Sequence, residues 1–306
     1  MTSRTLVQLL RRSTLRSLLP AAAAAASAMS ILSTAGVSAQ STVTHSSGRQ
    51  PTIVLVHGGW ADASSWDGVI KRLQDDGYPV IALANPLRSV GSDSAYIASV
   101  LDTIPGPLVL VGHSYGGMVI SNAAALTTNR SIQALVYVAA FIPEVGESAA
   151  QLVGHTAPGQ PGSSHIVPPG TPGVPANLTA RPFPPLGPSD LDFYINEDAY
   201  SDIFAADVRP ATQRLMVATQ RPFTLQAFTD TSAAATWKTI PSWSLVATRD
   251  NALGTANAAF MAQRTVTEGK GHVTEVNASH AVLVSHPDVV EDLIKSATRS
   301  LVGATR

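Results

Sequence analysis

From Pro51 onward the chain alternates between two rhythms of apolar and polar positions. Thr52-Ile53-Val54-Leu55-Val56 is a short β-branched run suited to a buried strand, and Val69, Ile70 and Leu73 open a helix that stops near Gly77. Tyr78 to Leu83 reads as the next strand. Ile97, Val100, Leu101 and Ile104 recur at i, i+3, i+4 and i+7, which puts one apolar stripe on a helix. Leu108 to Val111 reads as strand, an apolar helix follows from Met118, and Ala134 to Ala139 is strand again. Such alternation implies an α/β fold, a mostly parallel sheet with helices on both faces.

Between about Phe141 and Thr236 the alternation stops. Residues 154 to 188 hold ten prolines, including Pro168-Pro169 and Pro184-Pro185. An irregular insertion of that length inside a domain is functional or disordered in most cases, and here it reads as a cap. Within it, Leu191 to Phe204 and Pro210 to Phe228 look helical. The α/β pattern resumes at Ser242-Trp243-Ser244-Leu245-Val246, then a helix around Ala256 to Met261, strand Val273 to Val276 and a closing helix Val289 to Ala297. The expected organisation is a core of residues 51–140 and 237–306 interrupted by a cap at 141–236, with no internal repeat.

The first fifty residues follow different rules. Arg4, Arg11, Arg12 and Arg16 precede an alanine run, and Val37-Ser38-Ala39 before Gln40 resembles a small-residue cleavage site. Residues 1–39 therefore read as a signal peptide and residues 40–50 as a Ser/Thr-rich flexible leader. Arg11-Arg12-Ser13-Thr14-Leu15 resembles a twin-arginine export signal, which points to a secreted or periplasmic protein. A mitochondrial transit peptide is the rival, because the stretch has no acidic residue before Asp62. Polar Ser27, Ser30, Ser33 and Thr34 argue against a membrane anchor.

Composition narrows the partners. The 306 residues are 45% hydrophobic, enough for a substantial core, and the formal charge of −1 argues against nucleic acid. Cysteine is absent, so disulfides, thiolate metal sites and cysteine nucleophiles are excluded.

The candidate chemistry starts at Gly112-His113-Ser114-Tyr115-Gly116, where a buried strand runs into an apolar helix. That is the G-x-S-x-G pattern of a nucleophile elbow, with glycines flanking a strained turn that exposes the Ser114 hydroxyl. A serine hydroxyl needs a general base, and the base needs a carboxylate to fix its tautomer. His280, on the loop after strand Val273 to Val276, is the candidate base. His272 precedes that strand, and His286 starts the closing helix. Asp250, after strand Ser242 to Val246, is the candidate acid, in the order Ser, Asp, His. Glu144 is the alternative acid, and an ion pair of Asp250 with Arg249 is the competing bland assignment. Oxyanion donors are expected from the amides of Tyr115 and Gly59, with Trp60 next in line. His57 reads as a structural histidine holding the Gly58-Gly59 loop. Trp60, Trp66 and Met118 are candidates for the substrate pocket.

Taken together, Val54-Leu55-Val56-His57-Gly58, Asp62-Ala63-Ser64-Ser65-Trp66, the elbow with Gly117, and Ser279-His280-Ala281-Val282 resemble the α/β-hydrolase superfamily. The likeness covers about residues 51–302 and is closest to the branch of plant methylesterases, hydroxynitrile lyases and bacterial esterases. Hydroxynitrile lyases carry a lysine after the catalytic histidine, where this chain has Ala281. Ser114 excludes the aspartate nucleophile of haloalkane dehalogenases and epoxide hydrolases. The run Asp250-Asn251-Ala252-Leu253-Gly254 departs from the usual Asp-x-x-Ile/Val-Pro. The resemblance implies a serine carboxylesterase acting on small-molecule esters with no cofactor or metal. Two other readings stay open: a ligand-binding protein with negligible turnover, and hydrolysis of a lactone, thioester or amide. Asn129, Asn177 and Asn277 head glycosylation-like triplets that read as chance matches. The oligomeric state is not legible.

Overall fold

The computed structural model describes residues 50–154, 164–166, 176–183 and 191–303. The expectations for residues 1–49 and for most of the proline-rich stretch lie outside these described residues. In chain order the elements are β1 (Thr52–Val56), α1 (Asp67–Asp75), β2 (Val80–Leu83), α2 (Val90–Leu101), β3 (Leu108–Ser114), α3 (Tyr115–Leu126) and β4 (Ile132–Ala140). There follow α4 (Ala149–Val153), β5 (Leu178–Pro182), β6 (Leu191–Ile195), α5 (Glu197–Phe204), α6 (Pro210–Thr219), β7 (Phe223–Thr224) and α7 (Leu225–Thr229). The chain closes with β8 (Ser242–Ala247), α8 (Thr255–Glu268), β9 (Gly271–Val276), α9 (Val282–Ser285) and α10 (Pro287–Gly303).

Six strands form one parallel sheet in the order β2-β1-β3-β4-β8-β9. Successive side chains on a strand point to opposite faces, so the continuous apolar runs supply two cores at once. Val54, Val56, Leu108, Leu110 and Leu135 pack on the face that carries α2, α3 and α8. Ile53, Leu55, Val109, Val111, Val136 and Val138 pack on the other with α1 and α10. Both faces are covered, as the unbroken β-branched runs require.

The sheet order places the site. The chain leaves β1 toward β2 on one side and returns to β3 on the other, so the loops after β1 and β3 diverge at adjacent strand ends. That topological switch point is where open α/β sheets bind ligands.

The insertion departs from expectation. Leu191–Ile195 is a strand and only Glu197–Phe204 is helix, because Leu191, Phe193 and Ile195 are spaced by two and the strand pairs antiparallel with both β5 and β7. Pro210 to Phe228 divides into α6, the two-residue β7 and α7. At the start of β2, Tyr78-Pro79 lies outside the strand; Pro79 has no N–H to give to a ladder.

Candidate active site

The Ser114 backbone stands at φ 53° and ψ −125°, a conformation that costs a non-glycine residue about 1–3 kcal/mol and is kept only where the surroundings enforce it. They do so by close approach. A Cβ on Gly116 would lie 2.3 Å from the carbonyl oxygen of Val56, and one on Gly112 2.6 Å from the backbone of Gly116. The two flanking glycines thus let the β3–α3 turn press against the end of β1. Tyr115 opens α3, and its N–H is one of the helix-start donors that lack an intrahelical acceptor.

The parallel pairing of β8 with β9 sets Ala247 opposite Val276, and the two following loops stay joined. The Thr248 N–H donates to Val276 O at 2.8 Å and the Arg249 N–H to Ala278 O at 3.0 Å. Asp250 and His280 are thereby brought together, with Nδ1 of His280 2.8 Å from Oδ2 of Asp250 and both side chains sealed from solvent. The other carboxylate oxygen accepts from the N–H groups of Ala252 and Leu253, both at 2.9 Å. A carboxylate locked on one side by two backbone donors holds the Nδ1–H tautomer of the imidazole on its other side. Arg249 does not pair with Asp250; its guanidinium donates to Asn277 O at 3.3 Å. Glu144 lies in another ion pair, 2.7 Å from Lys238 Nζ.

The loop after β1 faces Ser114. A Cβ on Gly58 would meet Ser114 Cβ at 2.5 Å, so only glycine lets the loop reach the serine. His57 braces it from beneath: Nδ1–H donates to Gly58 O at 2.9 Å and Nε2 accepts the Asn85 N–H at 3.0 Å. Burial lowers the His57 pKa to about 4, against an opposing contribution from the Gly58 bond, so the ring is neutral. Trp60 turns the loop at φ 55°. Its indole N–H donates to Phe193 O at 2.9 Å and its carbonyl accepts from Tyr200 Oη at 3.3 Å.

Ser114 and His280 line one narrow pocket, partly open to solvent. Gly59, Trp60 and Tyr115 border it, and Phe141, Val153, Ile166, Phe223, Phe228, Ala252 and Leu253 complete an apolar wall. Tyr115 turns its hydroxyl away, donating to Asp93 at 3.0 Å. Burial raises the pKa of that aspartate, opposed by bonds from the Arg88 N–H and the tyrosine.

Two proposed pocket residues lie elsewhere. Trp66 ends the 3-10 turn that leads into α1 and is fully buried in the core on the opposite face of the sheet, edge-on to His113. Met118 is fully buried within α3, whose first turns are enclosed on all sides, and it does not line the pocket. His272 stacks on Trp243 at the start of β9, and His286 bonds to Ser285 Oγ at 2.9 Å.

The structure also adds residues that sequence reasoning passed over. His113 is fully buried, its ring centroid 4.7 Å from that of His280, and its Nε2–H donates to His280 O at 3.0 Å. Burial first, then the neighbouring His280, holds its pKa well below the usual histidine value. Phe204 packs edge-on to both histidines. Phe223 fits against Gly59 and contacts the rings of Trp60, Tyr115 and Phe228. Only the His in the elbow carried any local signal; the two phenylalanines arrive from the insertion.

Comparison with known proteins agrees with this architecture. Residues 53–293 match a family model described as the alpha/beta hydrolase family. A carbendazim hydrolyzing esterase of Nocardioides is 33% identical over 119 residues, 34% of this chain and 48% of that protein. The aligned stretch thus spans about half the length of that relative. A pyrethroid hydrolase from Sphingobium faniae superposes with a TM-score of 0.63 at 20% identity, covering 81% of this chain and 97% of the other. A methylesterase from Arabidopsis superposes with a TM-score of 0.60 at 16% identity, covering 81% and 99%. At these identities the two structural likenesses bear on the fold.

Proposed function

The chain belongs to the alpha/beta hydrolase family, and from that premise we propose that it is a serine carboxylesterase that cleaves small, uncharged esters through an acyl-enzyme on Ser114. The observation that carries the reading is the sealed Asp250–His280 pair, 2.8 Å apart, opening on the same pocket as a serine in a strained elbow.

In this mechanism the Ser114 hydroxyl attacks the ester carbonyl while Nε2 of His280 takes its proton. Asp250 stabilises the imidazolium through Nδ1–H, and its second oxygen stays bound to the Ala252 and Leu253 amides, so the carboxylate does not rotate as charge develops. The N–H groups of Tyr115 and Gly59 receive the oxyanion, a contribution of about 3–4 kcal/mol per donor in comparable sites. His280 then returns the proton to the departing alcohol. Water, activated by the same nitrogen, releases the acid.

The pocket wall supports the substrate class. Apart from the reacting serine and histidine, every described residue that lines it is glycine, apolar or aromatic. Val153, Ile166, Phe223 and Phe228 come from the segment between β4 and β8, which acts here as the cap. The relative from Nocardioides is named a carbendazim hydrolyzing esterase, which favours ester hydrolysis in this chain too.

The test is hydrolysis of p-nitrophenyl butyrate by the wild type and by Ser114→Ala, with stoichiometric labelling by a fluorophosphonate. Loss of turnover and of label in the variant is expected. Equal turnover in both proteins, or label on another residue, overturns the reading.

A further inference from the structure

The insertion does more than wall the pocket. Asp207, in the turn between α5 and α6, has a side chain only 9% exposed and turned onto the loop that carries His280. Its Oδ2 accepts from the Ser279 N–H and from Ser285 Oγ, both at 3.1 Å, and its Oδ1 accepts from Ser279 Oγ. One turn earlier, the carbonyl of Phe204 accepts the Ala281 N–H at 2.9 Å. The backbone on both sides of His280 is therefore held by residues from the insertion. Arg249 Nη2 lies 3.8 Å from the same carboxylate while it donates to Asn277 O, so the loop of Asp250 is tied to the same point. His286 Nδ1 approaches it at 3.6 Å.

A carboxylate this far buried is costly unless its lone pairs are used. Burial by itself would raise the pKa of Asp207, but the bonds from Ser279 and Ser285 outweigh it and hold the group below the usual aspartate value. The charged acceptor thus persists across the neutral range. Ser279 and Ser285 lie 72 and 78 positions beyond Asp207 in the chain, and nothing in the sheet requires the connection.

We propose that Asp207 is a positioning residue for the hydrolysis: by accepting three hydrogen bonds from Ser279 and Ser285 it fixes the loop that aligns His280 between Asp250 and Ser114. The inference rests on the serine-esterase reading. Small misplacements of a catalytic group cost about a hundredfold in rate, whereas the apolar wall that binds the ester does not involve Asp207.

The deciding experiment compares wild type, Asp207→Asn, the double variant Ser279→Ala/Ser285→Ala, and the exposed control Asp198→Asn. For p-nitrophenyl butyrate, kcat is expected to fall 10- to 100-fold in Asp207→Asn and in the double serine variant, with KM within twofold of wild type and Asp198→Asn unchanged. Amide exchange should quicken at least tenfold at Ser279 and Ala281 while β1 and β3 keep their protection. A folded Asp207→Asn with kcat within twofold of wild type overturns the proposal. So does exchange that quickens uniformly across the sheet, which marks a general scaffold role. Should Asp207→Asn not fold, the double serine variant decides by the same two readouts. Full activity in Ser114→Ala defeats the esterase reading itself; full activity in Asp207→Asn beside a dead Ser114→Ala defeats only the positioning role.

Discussion

The Nδ1 atom of His280 lies 2.8 Å from Oδ2 of Asp250 across a contact that solvent does not reach, while the second oxygen of that carboxylate is held by two backbone amides. The pair is thus fixed in orientation before any substrate arrives. Replacing the carboxylate by an amide keeps the shape and removes the preference for the reactive tautomer.

Asp250→Asn is therefore expected to lower kcat for p-nitrophenyl butyrate by about 10³–10⁴-fold with little change in unfolding midpoint. Glu144→Gln should stay within about threefold of wild type, because Glu144 is occupied by Lys238. Steady-state kinetics on both variants checks this; a large loss in Glu144→Gln with an active Asp250→Asn would reassign the acid.

Gly116→Ala should destabilise the protein by about 3 kcal/mol, because its methyl would lie 2.3 Å from Val56 O and only backbone movement at the elbow can relieve the clash. Gly91→Ala, in α2 where a Cβ meets nothing within 4 Å, should instead stabilise by about 0.5–1 kcal/mol. Urea unfolding of the two variants is the measurement. Equal midpoints would show that the elbow yields more readily than its packing implies.

Stability should depend on pH through His57. Its folded pKa is about 4 against 6.5 in the unfolded chain, so between those values the unfolded state binds the extra proton. The contribution, about 3 kcal/mol for the full shift, is present above pH 6.5 and is lost as pH falls toward 4. His113, also held low, acts in the same direction. In His57→Gln, whose side chain can still accept from Asn85, the slope of unfolding free energy against pH should shrink by about 1.4 kcal/mol per unit between pH 4.5 and 6. An unchanged slope would mean that His57 titrates normally in the folded protein.

The sheet was legible because its strands are short continuous apolar runs, and the positions of Asp250 and His280 followed from their places after successive strands. What escaped the sequence depends on contacts made at a distance. Leu191, Phe193 and Ile195 carry a period of two, but the run is five residues long, and its strand character comes from pairing with residues near 180 and 223. Trp66 is as apolar as Trp60, yet the short turn into α1 sends it to the far face of the sheet. Asp207 is one of 21 acidic residues, and only the folded insertion brings it to Ser279.

Charge on the substrate should be rejected by the pocket. Among the described residues its lining offers no lysine or arginine to an acyl carboxylate, and the nearby Arg88 guanidinium is 2.8 Å from Asp192. An ester bearing a carboxylate in its acyl chain must therefore either leave that group unpaired in an apolar enclosure, at a cost of several kcal/mol, or bind in a strained pose that keeps it in water. At about 1.4 kcal/mol per factor of ten, kcat/KM for p-nitrophenyl hemisuccinate should fall at least about 100-fold below that for p-nitrophenyl butyrate. The two acyl chains have four carbons each, so size does not separate them. A Phe228→Lys variant, which sets a cation on the wall, should narrow the gap by improving the charged ester and impairing the neutral one. Comparable kcat/KM values for the two esters in the wild type would place the acyl group outside the pocket of Phe223 and Phe228.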